Sequence, residues 1–288
     1  MNHPPVRQCG FLLKNAMIYA LACSALFLAS CSPGSLPIRG DHPPNPDAVA
    51  FRGTSSPGAD DALMLSGTLK KPPGDGPFPA VVLLHGCGGI QPKRDHRWAE
   101  RLTGWGYVTL QVDSFRPRGI SNVCTYSGKE SFDMVEKRVY DAYDAKTYLS
   151  GLPFVDRGRI AVLGWSHGGF TTLQALYKKK ADPFRAAVAF YPSCRRMLTD
   201  LNAPLLILIG EADDWTPADR CVSMMPKVEG SSVTLRVYPG AFHGFDTVGA
   251  NSKVRGRGGM HRIEHHPKAE ADSIIQVKGF FEKHLKVE

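Results

Sequence analysis

Ser166 lies in the run IAVLGWSHGGF, residues 160–170, with Gly164 two places before it and Gly168 and Gly169 just after. The apolar stretch Ile160 to Leu163 leads into it and reads as a short buried strand. A G-x-S-x-G spacing permits a sharp strand-to-helix turn that holds its central residue in a strained conformation. A serine hydroxyl is a weak nucleophile at neutral pH. It needs a base within hydrogen-bond reach, and the base needs an acid to orient it. Two later segments supply those types in the order acid, then base. Asp213 ends the apolar run APLLILIGEADD (203–214), with Asp214 beside it as an alternative acid, and His243 ends VTLRVYPGAFH (233–243). The chemistry implied is acyl transfer, with Ser166 as nucleophile, His243 as general base and acid, and Asp213 orienting it.

The oxyanion formed in such a reaction needs preformed donors. The backbone N–H of His167, directly after the nucleophile, is one candidate. The N–H of Cys87, after His85-Gly86 at the end of FPAVVLLHG (78–86), is the other. Arg116 and Arg118 are candidates for clamping an anionic substrate group, since guanidinium matches carboxylate geometry; the other reading is a surface pair. Trp165 and Trp215 are candidates for lining the acyl pocket or for core packing. Asp113 reads as structural and Asp246 as a loop residue. His261, His265 and His266 lie in HRIEHHP without a tidy ligand set, so no metal is expected. The serine relay calls for no cofactor.

These residues need elements to position them. Strands are expected at 62–72, 78–86, 107–113, 184–192, 203–214 and 233–243, besides the one before Ser166. Helices are expected at 94–106, 131–152, 168–180, 217–228 and 268–286. Strands alternate with helices and several are continuously apolar. That is the pattern of an α/β fold with a mostly parallel, doubly wound sheet and helices on both faces. Right-handed crossovers put the strand C-termini on one edge. His85, Asp113, Ser166, Asp213 and His243 all fall there.

Four segments carry a resemblance: GWSHGG around Ser166, GEADDWTP (210–217), YPGAFHGFD (238–246) and VDSFRPRG (112–119). Through them the chain, from about residue 60 to 286, resembles the dienelactone hydrolase family of the α/β-hydrolase superfamily. The resemblance implies the α/β-hydrolase fold and points to Asp213 and His243 as acid and base. The founding enzymes use a cysteine where this chain has Ser166, and carry a glutamate where it has Gly86. Their thiol-switching mechanism and their specific substrate are therefore not carried over. The expected activity is cleavage of a small carboxylic ester or lactone through an acyl-enzyme. A peptidase or acyltransferase of the same fold, and a catalytically silent envelope protein that binds a ligand, are the other readings.

The chain has 288 residues, 43% hydrophobic and 22% charged, enough for one large α/β domain. Arg7 and Lys14 precede the uncharged stretch AMIYALACSALFLAS (16–30), which reads as a secretory signal and is short for a membrane span. LASC, residues 28–31, resembles the lipobox of bacterial lipoproteins; a plain signal peptide cut elsewhere is the alternative. The lipobox implies acyl chains on Cys31, and two or more such chains hold a protein durably on a bilayer. Ser32 after that cysteine favours the outer membrane. SPGSLPIRGDHPPNPD (32–47) reads as an extended tether. The expected organisation is a signal peptide over 1–30, a lipidated N-terminus and tether over 31–60, and a catalytic domain over 61–288, on the periplasmic side of a bacterial envelope.

The formal charge is +8, and the basic residues form no stripe with interleaved aromatics, so no nucleic-acid partner is expected. Oligomeric state is left open. Of seven cysteines, Cys9 and Cys23 leave with the signal and Cys31 takes lipid. The remaining Cys87, Cys124, Cys194 and Cys221 suggest two disulfides with three possible pairings. Cys87 and Cys124 both follow strand ends near the presumed site, which favours 87–124 with 194–221.

Overall fold

Continuously apolar segments can be buried on both sides only in the middle of a covered sheet. The computed structural model places β3 (Phe78–Leu84), β4 (Val108–Asp113), β6 (Ala187–Phe190) and β7 (Leu205–Gly210) there, with β5 (Val155–Trp165) between them. It describes residues 46–54, 63–177, 182–195, 201–225 and 232–285, all within a unit spanning Pro44–Glu288. With β1 (Ala48–Arg52), β2 (Met64–Lys70) and β8 (Val233–Tyr238) the sheet has eight strands in the order β1-β2-β4-β3-β5-β6-β7-β8. β2 runs antiparallel to β1 and β4, and every other pairing is parallel.

The crossovers are α1 (Arg97–Gly104), α2 (Gly128–Ser150), α3 (His167–Tyr177) and α4 (Ala218–Met224), and α5 (Pro267–Leu285) closes the described fold. α2 begins with a capping box in which the Ser127 hydroxyl accepts from the Glu130 N–H and the Glu130 carboxylate from the Ser127 N–H. It buries Val135, Val139, Ala142 and Leu149, an i, i+4, i+7 stripe, against the sheet.

β7 and β8 end earlier than the apolar runs predict, at Gly210 and Tyr238, and leave Asp213 and His243 on the loops beyond. Two elements were not foreseen. β1 lies inside the stretch read as tether and pairs with β2 along its length. A hairpin of β9 (Asn251–Gly256) and β10 (Gly259–Glu264) stands between His243 and α5. Disulfides join Cys87 to Cys124 and Cys194 to Cys221, the favoured pairing. The signal segment and Cys31 lie outside the described residues. Among the described residues no helix is long and apolar enough to cross a membrane.

Candidate active site

The nucleophile turn is built by close backbone approach. A β-carbon on Gly168 would stand 2.0 Å from the Leu84 carbonyl oxygen, and one on Gly164 would stand 2.3 Å from the Gly168 carbonyl oxygen. No side chain fits either place, so β5 can turn directly into α3. Ser166, between them, adopts φ 53°, the left-handed region. Its N–H donates to the Phe190 carbonyl at 2.9 Å, and its own carbonyl accepts from the Phe170 N–H at 2.8 Å. The strained residue is thereby fixed to β6 on one side and to α3 on the other.

Three side chains from separate loops meet there. Ser166 Oγ lies 2.9 Å from His243 Nε2, and His243 Nδ1 lies 2.7 Å from Asp213 Oδ2. Asp213 is itself held: Oδ1 accepts from the N–H groups of Trp215 and Thr216, and Oδ2 from the Thr216 hydroxyl. Burial opposes its charge, but His243 and these hydrogen bonds outweigh burial and hold the carboxyl below its ordinary range. With Asp213 ionised, Nδ1 of His243 carries the proton and Nε2 is free to accept from Ser166. Asp214, the alternative acid, is exposed and accepts from the Arg262 N–H instead.

Behind the turn stands a group the sequence reading missed. Arg138 of α2 is fully buried, and its guanidinium donates to His167 Nδ1 at 2.8 Å and to the His85 carbonyl at 2.7 Å. One cation thus ties the residue after the nucleophile to the loop that carries Gly86 and Cys87. His167 then donates from Nε2 to the Ser131 carbonyl. Burial, followed by the charge of Arg138, pushes the His167 imidazole down to about 3. His85 is lowered for the same two reasons, and its Nε2 accepts from the Ser114 N–H. Both rings are therefore neutral framework, not proton carriers.

A cleft opens at Ser166 in two lobes, of about 290 and 320 Å³, both lined by Cys87, Cys124, Ser166 and Trp215. The first continues over Tyr126, Phe132, Phe170, Arg195 and Arg257. The second runs past Gly86, Arg94 and His243 to the hairpin residues Val254 and Ile263. The hairpin docks on the site: the Glu264 N–H donates to the His243 carbonyl, and His261 stacks on Trp215 at 4.9 Å. A β-carbon on Gly256 would fall 2.3 Å from the Trp215 ring, so that glycine makes room for it.

Three candidates are not brought to the cleft. Arg118 spends both terminal nitrogens on Asp141 and also donates to the Ser114 carbonyl. Arg116 points to solvent with its side chain 86% exposed and pairs with Asp113. Trp165 is fully buried, and its Nε1 donates to Asp246. Asp246 lies in a turn, as expected of a loop residue, but is buried there and also accepts from Trp98 Nε1 and the Tyr191 hydroxyl. Burial raises its pKa, and Arg94 and those donors offset only part of that. Asp113 caps its own turn by accepting from the N–H groups of Phe115 and Arg116. His265 pairs with Glu270, and His266 Nδ1 accepts from the Ala269 N–H. Among the described residues no three His, Cys, Asp or Glu side chains are grouped to hold a metal.

An eight-stranded, mostly parallel sheet with a serine on a tight β5–α3 turn, an acid after β7 and a histidine after β8 defines the α/β-hydrolase class. The profile of the dienelactone hydrolase family matches residues 65–285. The chain belongs to that family, with Ser166 on the tight β5–α3 turn. A putative dienelactone hydrolase from Klebsiella pneumoniae has a similar structure, with TM-score 0.61 and 20% identity over 82% of this chain and 99% of that one. A dienelactone hydrolase-like promiscuous phosphotriesterase from metagenomic libraries gives TM-score 0.65 and 21% identity over 83% and 98%. At such identity the likeness speaks for the fold. Among curated proteins, a probable dipeptidyl-aminopeptidase B from Metarhizium robertsii is 27% identical over 190 residues, which are 53% of this chain and 20% of that protein. The chain spans only 9% to 26% of the length of such relatives.

Proposed function

We propose that the chain hydrolyses a small carboxylic ester or lactone through an acyl-enzyme on Ser166. The observation that carries this is the unbroken hydrogen-bonded line from Ser166 through His243 to Asp213. In the first half-reaction Oγ attacks the ester carbonyl carbon while Nε2 of His243 takes the hydroxyl proton. The tetrahedral oxyanion is met by the N–H groups of His167 and Cys87. His167 is the first residue of α3, so its N–H has no acceptor within the helix. The oxyanion collapses, the C–O bond to the alcohol breaks, and His243 gives its proton to the departing oxygen. Water then repeats the sequence on the acyl-enzyme, releasing the acid and restoring Ser166. Asp213 stabilises the imidazolium in both halves.

The names of the curated relatives favour an aminopeptidase. The lining of the cleft favours an ester. An aminopeptidase must neutralise a substrate ammonium, and among the described lining residues neither lobe carries a carboxylate. A panel of short p-nitrophenyl esters, lactones and dipeptidyl p-nitroanilides tests the choice. Cleavage of esters alone agrees with this reading, and faster cleavage of the anilides overturns it.

The lipobox at Leu28–Cys31 leads us to place the enzyme on a bacterial membrane through acyl chains on Cys31. Cys31→Ala then releases the protein into the soluble fraction; unchanged fractionation contradicts the anchor.

A further inference from the structure

Several arginines in this fold are matched to acids. Arg94 pairs with Asp95, Arg101 with Glu270, Arg118 with Asp141, Arg159 with Asp156 and Arg262 with Glu264. The first lobe of the cleft holds arginines that are not so matched. Arg195, following β6, and Arg257, at the tip of the β9–β10 hairpin, both line it beside Ser166. Arg220 of α4 is near enough that its charge and that of Arg257, after burial, lower the Arg195 pKa. Among the described residues no carboxylate forms an ion pair with any of the three, and none lines the lobe.

These cations are placed, not scattered. The Arg257 N–H donates to the Cys124 carbonyl at 2.9 Å, which fixes the hairpin tip above the disulfide. Its guanidinium lies against Gly128, where a β-carbon would come within 2.9 Å of Nη1. Arg195 directly follows Cys194, which the second disulfide ties to Cys221 on α4. Like charges held together beside a concave surface raise a positive potential that an anion relieves. Val123, Tyr126, Phe132, Phe170 and Trp215 add apolar or aromatic wall, interrupted by the polar Ser131, Ser193 and Thr216. The fitting ligand part is an apolar body with an oxyanion at its end.

We propose that the first lobe is a subsite for an anionic group, carboxylate or phosphate, on the substrate, with Arg195 and Arg257 as its donors. The hydrolase reading locates the scissile ester at Ser166; the anion's binding does not depend on turnover. The test therefore uses Ser166→Ala, which cannot turn substrate over, and calorimetric or thermal-shift titration. The probes are mono-p-nitrophenyl glutarate, a phosphate-terminated p-nitrophenyl butanoate and neutral p-nitrophenyl pentanoate. At low salt one or both anionic probes bind roughly tenfold or more tightly than the neutral one, as charge-assisted hydrogen bonds to guanidinium require. The preference shrinks in about 0.5 M NaCl, where exposed charges are screened. It falls to about one in Arg195→Gln/Arg257→Gln and persists in Arg116→Gln, whose cation lies outside the cleft. The carboxylate and phosphate arms show which group is taken. Equal affinity for charged and neutral probes, a preference indifferent to salt, or one that survives the double substitution overturns the subsite. The salt titration uses no arginine variant, so misfolding of the double variant leaves the test intact. Anionic probes held by Ser166→Ala while the wild type cleaves no ester would sink the hydrolase reading and leave the subsite standing. Ester cleavage with no anionic preference does the reverse.

Discussion

Ser166 sits at φ 53°, a conformation that costs an L-residue with a side chain about 1–2 kcal/mol. The surroundings that maintain it include Arg138, whose guanidinium bonds both His167 and the His85 carbonyl. Arg138→Met keeps the bulk and removes those bonds. We expect kcat to fall roughly tenfold or more with KM little changed, since the loss falls on positioning of the oxyanion donors. A matching rise in KM would instead place Arg138 in substrate binding. Asp246 holds Trp98, Trp165 and Tyr191 together. Asp246→Ala leaves three buried donors unmatched and lowers unfolding free energy by about 3–5 kcal/mol, measured by denaturant titration, with Asp246→Asn milder. The meeting of Ser166, His243 and Asp213 was legible because each follows an apolar run in a recognisable local pattern. Arg138 and Asp246 were not. Their partners lie 29 or more positions away along the chain, and nothing in their neighbours marks a buried charge. Arg118 misled for the same reason: its pairing with Asp141 arises only when α2 packs.

The elements that deliver the site are the long apolar strands, and these were readable from hydrophobic runs and glycine stops. β1 and the β9–β10 hairpin were not. β1, Ala48-Val49-Ala50-Phe51-Arg52, is an apolar run too short to stand out after a Pro- and Gly-rich stretch, and most residues of the hairpin are exposed or half-buried, with no sustained apolar pattern. Yet the hairpin floors the second lobe and carries Arg257 over the first. The Cys87–Cys124 disulfide couples the proposed oxyanion donor to the same region, because the Cys124 carbonyl accepts from the Arg257 N–H. Replacing both cysteines by serine in the Cys87–Cys124 pair therefore lowers kcat, by about tenfold. The same replacement in the Cys194–Cys221 pair leaves the His85–Cys87 loop in place. Steady-state kinetics on a neutral ester distinguish the two. An equal loss in both variants shows that the first disulfide serves stability alone.

The sheet as a whole aligns the ends of β5, β7 and β8 so that three loops converge, and it buries two neutral histidines beneath them. That burial sets an acid limit. His85 and His167 both titrate below the ordinary value of 6.5, His167 at about 3. As pH falls from 6.5 toward that value, the unfolded chain binds protons that the folded chain refuses, so stability drops. Asp213, also lowered, adds a loss in the same direction as pH falls through its folded pKa. The melting temperature should fall by several degrees from about pH 7 to about pH 4.5, and by less in His167→Gln. A flat profile contradicts the neutral, buried assignment.

The proposed hydrolysis depends on Ser166 being a nucleophile activated by His243. Treating the intact protein with a fluorophosphonate and mapping the adduct by peptide mass spectrometry tests it most directly. One phosphonyl group is expected on the peptide containing Ser166, absent in Ser166→Ala and formed far more slowly in His243→Ala. An adduct on another residue, or an unlabelled wild-type protein, would contradict it.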